Sequence, residues 1–66
     1  MKVIVNGKEV TLEQPTSISN YLKSKGVEPQ TVVVEHNYSV PDREKWEEII
    51  LNDGDNLEIV KFMGGG

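Results

Sequence analysis

With 66 residues the chain has room for one small domain and none for a second. A domain of this size hides only about 60% of the surface its unfolded chain exposes, so little core is spare for a deep substrate pocket, which excludes most enzymes. Seven Lys and Arg against eleven Asp and Glu give a net charge of −4, the wrong sign for gripping nucleic acid or an anionic membrane and the right one for a basic groove on a partner; the absence of cysteine excludes disulfides, thiolate nucleophiles, Cys-based zinc sites and a persulfide carried on this chain.

Residues 2–12 alternate and turn. Val3-Ile4-Val5 is β-branched, and Asn6-Gly7 supplies the two positive-φ positions of a type I′ turn. Lys8-Glu9-Val10-Thr11-Leu12 then alternates polar with apolar, so an opening β-hairpin is predicted. Pro15 closes the second strand, and Thr16 or Ser17 can cap a helix. Ile18, Tyr21 and Leu22 form its apolar stripe, Lys23 and Lys25 suit its negative end, and Gly26 is placed to end it, giving a helix of about 8 to 10 residues. Val32-Val33-Val34 predicts a strand buried on both faces and central in its sheet. A turn at residues 37–39, a helical turn at 43–46 and a short strand at 48–51 follow. The Asn52-Asp53-Gly54-Asp55-Asn56 turn precedes a last strand at 57–62. The longest apolar runs are triplets, too short for a membrane span or a signal peptide, so the cytoplasm is the expected compartment.

Hairpin, helix and later strands in this order predict an α+β fold: a ubiquitin-like β-grasp, a mixed sheet of four to five strands with one helix packed on one face. Residues 1–63 are the expected β-grasp domain and residues 64–66 a flexible glycine tail. Val3, Val5, Leu57 and Ile59 are the natural partners of Ile18 and Leu22. Ile4, Val60 and Phe62 then fall on the opposite face, which no second helix covers. Pairing of the first and last strands would cluster them into a partner-docking patch, or they are simply scattered β-formers.

Ordinary catalysis fares poorly. His36 has Glu35 beside it, but neighbouring strand residues point to opposite faces, so no dyad results and His36 reads as a solvated or satisfied side chain. Asp42, Glu44, Glu47, Glu48, Asp53 and Asp55 lack the order of a calcium loop and read as a solvated acidic face; no metal site is expected. Ser17, Ser19, Ser24 and Ser39 have no activating partner, and no Gly-rich loop joins a strand to a helix. The chemistry that remains is at the end. Gly64-Gly65-Gly66 has no side chains, can thread a narrow tunnel in another protein, and presents a carboxylate for activation to an acyl-adenylate, open to a sulfur or amine nucleophile. A frayed end or a linker would read the same way on glycine alone.

The hairpin residues Val5-Asn6-Gly7-Lys8, the helix entry at 16–22, Val40-Pro41-Asp42-Arg43-Glu44-Lys45-Trp46, Asn52-Asp53-Gly54-Asp55 and the terminal glycines together resemble the ThiS family, sulfur carriers of thiamin thiazole biosynthesis, over essentially the whole chain. Asp42, inserted between Pro41 and Arg43, and Asn37-Tyr38 in place of an Asn-Gly-like turn depart from the tightest pattern. The resemblance implies that Gly66 is the modified residue and that Gly64 and Gly65 thread the partner. A ThiF-like adenylyltransferase using ATP and magnesium would activate Gly66, a sulfurtransferase or persulfide donor would make it a thiocarboxylate, and a ThiG-like thiazole synthase would take the sulfur. The chain itself would bind no cofactor, and a monomer when free is expected. Three other readings share the features: a MoaD-like or other pathway carrier, a ubiquitin-like modifier joined through Gly66, and a structural β-grasp module.

Overall fold

Asn6 and Gly7 adopt φ of +50° and +82°, and this tight turn joins β1 (Lys2–Val5) to β2 (Lys8–Thr11) as an antiparallel hairpin. The computed structural model describes residues 1–62. Beyond the hairpin come α1 (Ile18–Ser24), a 3-10 turn at Pro29–Thr31, β3 (Val32–His36), a second 3-10 turn at Arg43–Lys45 and β4 (Asn56–Lys61). The predicted boundary between residues 63 and 64 lies outside the described residues.

The four strands form one sheet in the order β2-β1-β4-β3, with β1 and β4 parallel at its centre and the outer pairings antiparallel. The mixed sheet and single helix are the architecture the element order predicts. Direct β1–β4 pairing covers only Ile4 with Asn56 and Val5 with Leu57. Side chains lengthen it at both ends: Asp53 Oδ1 accepts from the Lys2 N–H at 2.7 Å, and Asn6 Oδ1 accepts from the Ile59 N–H at 2.7 Å.

Local signals set the helix ends. The Ser17 hydroxyl accepts the Asn20 N–H at 3.0 Å, a side-chain N-cap. At the other end Gly26 takes φ +70°, which lets its N–H reach the Lys23 carbonyl and the Val27 N–H reach the Leu22 carbonyl, each at 3.0 Å. That paired bond pattern is a Schellman stop, and it holds α1 to 7 residues, shorter than the predicted span. Ile18, Tyr21 and Leu22 bury one stripe against Val3, Val5, Val32, Val34 and Leu57, with Trp46 and Leu51 closing the core.

Two sequence expectations are corrected. β3 is an edge strand rather than a central one: Val32 and Val34 are fully buried beneath the helix, while Val33 faces the other way and is only half-buried. The valine run reflects β-propensity as well as burial. Residues 48–51 also form no strand among the described residues. Ile50 makes a single bridge to Ser17, and this segment is tied to the helix entry instead, by Ile18 N–H to Ile49 O at 3.0 Å and Leu51 N–H to Thr16 O at 2.8 Å. Its task is to place Leu51 in the core, which a hydrogen-bonded anchor does without a ladder.

Candidate functional site

Gly64, Gly65 and Gly66 lie outside the described residues. The structure does place the strand that leads to them. β4 runs through the sheet interior, and the Phe62 N–H still reaches the Thr31 carbonyl at 3.0 Å, so the ladder to the β3 side continues to Phe62.

Alternation along β4 sends Leu57 to the helix side, and Glu58, Val60 and Phe62 to the uncovered face. Val60 and Phe62 are 55% and 52% exposed, large values for apolar side chains on a sheet. Their neighbour is Val33, which pairs directly with Val60. Ile4 shares this face but not this cluster. It pairs with Asn56, four residues before Val60 and so about 13 Å away along the strand. The expected grouping of Ile4 with Val60 and Phe62 through β1–β4 pairing is thus corrected: the apolar group at the tail end of the sheet is Val33, Val60 and Phe62. Val33 escaped the sequence reading because its run read as core; an antiparallel β3–β4 register would have found it.

The same register sets Glu35 opposite Glu58 on this face, and two like charges in direct cross-strand position repel. An apolar end beside paired carboxylates would be complemented by a surface that is apolar with adjoining basic groups.

At the other end of β4, His36 finds its partner in Asp55, not Glu35. His36 Nε2 lies 2.8 Å from Asp55 Oδ2, which also accepts the Asn52 N–H at 2.9 Å, while Asn37 Nδ2 donates to Oδ1 at 3.1 Å. Burial of Asp55 opposes its charge, but the bonds from His36, the Asn52 amide and Asn37 outweigh this and hold the carboxyl below its ordinary value. Asp55 thus leaves the acidic surface group to which sequence alone assigned it. The pair sits about 20 Å along β4 from Phe62, so it serves the fold and not the tail.

The Val40-Pro41-Asp42-Arg43 stretch with Trp46 is likewise structural. Arg43 donates from Nε to the Pro29 carbonyl at 3.1 Å and from Nη2 to the Val32 carbonyl at 2.9 Å, and its guanidinium lies 5.2 Å from the Trp46 ring centre. Trp46 is buried and donates from Nε1 to the Pro41 carbonyl at 3.2 Å. This clamp seals the outer edge of β3. Among the described residues no group of three or more His, Asp or Glu side chains is arranged to hold a metal ion, and no helix is long and apolar enough to cross a membrane.

A mixed sheet in this order, one helix on one face and the final strand leading from the sheet interior toward a glycine terminus define a ubiquitin-like β-grasp protein. A model of the ThiS family matches residues 3–66, and the chain belongs to that family. It is 40% identical over 63 residues to the sulfur carrier protein ThiS of Bacillus subtilis, covering 94% of this chain and 96% of that one. A crystal structure of the thiamine biosynthesis protein ThiS from Geobacter metallireducens superposes with a TM-score of 0.85 at 35% identity, covering 100% of both chains. The chain is also 36% identical over 66 residues to a thiazole synthase from Paramagnetospirillum magneticum, where it spans all of itself but only 20% of the synthase.

Proposed function

We propose that this chain is a sulfur carrier for thiazole formation in thiamin biosynthesis, acting through the carboxylate of Gly66. The observation that carries the reading is membership of the ThiS family across residues 3–66, glycine terminus included. The similarity to a named sulfur carrier over nearly the full length of both chains supports it. A thiazole synthase that contains a stretch similar to this whole chain supports a ThiG-like synthase as the sulfur acceptor.

In this role the chain is a co-substrate rather than an enzyme. The Gly66 carboxylate attacks the α-phosphorus of ATP on a ThiF-like adenylyltransferase that supplies magnesium, and pyrophosphate leaves. A persulfide sulfur from the donor protein then displaces AMP, and a second thiol reduces the acyl disulfide, leaving the thiocarboxylate. Glycines at 64–66 keep side chains out of the partner's tunnel and away from the reacting carbonyl. The apolar group Val33, Val60 and Phe62, at the tail end of the sheet, is suited to grip the enzyme that threads the tail. Activation that consumes ATP suits a cytoplasmic working compartment.

Intact mass spectrometry of the chain from its own cells tests this. Replacement of one oxygen by sulfur adds about 16 Da, and deletion of Gly66 abolishes the gain while the melting temperature stays unchanged, because the core is built from residues 3–57. Lysine adducts on other proteins ending in Gly-Gly would instead establish a protein modifier.

A further inference from the structure

The two edges of the sheet are treated differently. Alternate residues of an edge strand turn N–H and C=O outward, and on β3 these are Val32, Val34 and His36. Arg43 occupies the Val32 carbonyl and the turn at Ser39 takes both groups of His36, so β3 is blocked on either side of Val34. On β2 the hydrogen-bonded pairs with β1 continue from Met1 with Leu12, which leaves Glu9 and Thr11 facing outward. Their N–H and C=O groups meet no partner among the described residues.

Beside that open edge lies a groove of about 540 Å³ between β2, the segment 12–16 and α1. Val10 and Leu12 are half-buried along its strand side, and Tyr21 gives its helix side a largely buried ring. Lys23 and Lys25 stand along the helix rim, with the Lys25 ammonium 5.7 Å from the centre of the Tyr21 ring. Glu13 is the one carboxylate lining the groove, so the site is locally basic in a chain of net charge −4.

We propose that this groove receives an extended segment of another protein, which adds as a strand to the open edge of β2 and turns acidic residues toward Lys23 and Lys25. The free backbone groups of Glu9 and Thr11 specify an extended backbone, and the floor accepts alternate apolar side chains. Charge selects the occupant. A second copy of this chain pairing through β2 would bring Lys23 and Lys25 of both copies together, whereas an acidic segment neutralises them. The site is separate from the Val33, Val60 and Phe62 face, so a bound segment leaves that face free.

A random peptide library displayed on phage, selected against the whole chain, tests the proposal, with enriched peptides synthesised and mapped by amide chemical shifts. The expected sequences alternate apolar residues and carry Asp or Glu. Their footprint falls on residues 8–12 and 21–25, with the Glu9 and Thr11 amides newly protected from exchange. Thr11→Pro removes an outward donor that the β1–β2 ladder does not use, and weakens binding about tenfold or more. Replacing Lys23 and Lys25 together by Gln weakens it about fivefold and removes the preference for acidic peptides. Failure to enrich any sequence, a footprint on the Val33, Val60 and Phe62 face, or binding that survives Thr11→Pro overturns the proposal. Should Thr11→Pro disturb the fold, peptides N-methylated at alternate amides replace it, and undiminished binding by every such peptide is equally fatal.

Discussion

Asp55 has three hydrogen-bond donors around one buried carboxylate, and it joins the turn after β3 to the turn before β4. Replacing it with Asn keeps the size but loses the charge, and an amide cannot accept all three bonds; we expect a loss of about 1–3 kcal/mol at neutral pH. Because folding lowers the Asp55 pKa from 3.8, its contribution is fully present above that value and is lost as pH falls through it and below. Urea denaturation at a series of pH values should therefore show wild type and Asp55→Asn converging in acid. Equal separation at all pH values would deny the carboxylate this role. Tyr38 presents the opposite case: φ is +70° on a bulky residue whose side chain is 83% exposed, so nothing repays the left-handed backbone. Tyr38→Gly should raise stability by about 1 kcal/mol, read as a higher melting temperature.

Among elements, the edge strand β3 depends on a side chain from outside the sheet. Lys in place of Arg43 keeps the charge but cannot span the Pro29 and Val32 carbonyls while lying flat against Trp46. Arg43→Lys should cost about 1–2 kcal/mol, with hydrogen exchange speeding first at the β3 edge. What the sequence made legible at this scale was what neighbours in sequence decide: the Asn6-Gly7 turn, the Ser17 cap and the Gly26 stop. The edge position of β3 was hidden, since a valine run looks the same whether Val33 is covered or bare. The anchor of residues 49–51 on the helix entry and the His36–Asp55 pair were hidden too, because each joins residues far apart in sequence. Trp46 was visible as part of a motif, yet only packing shows that it belongs to the core and that Arg43 lies on it.

On the scale of the whole molecule, the core and the exposed apolar group of Val60 and Phe62 occupy opposite faces of one sheet. The core uses the helix side, so the apolar residues at the tail end of the bare side are free to change without unfolding the domain. Phe62→Ser should leave the unfolding free energy within about 0.5 kcal/mol of wild type while weakening binding to the proposed adenylyltransferase, measured by calorimetry. Unchanged affinity would remove that face from the interface. The composition of the bare face was half legible: β-alternation sorts Ile4, Val60 and Phe62 onto it, but only the register separates Ile4 from the other two and brings in Val33.

The central position of β4 also has a mechanical side. On the proposed function, an enzyme drawing in the residues beyond Lys61 would apply tension along the strand axis, not across it. Five β3 pairings and the β1 contacts then carry the load together, in shear, rather than opening one at a time as a peeled edge would. A strand held on both flanks lets the terminus be pulled hard while the body behind it stays folded and acts as a stopper.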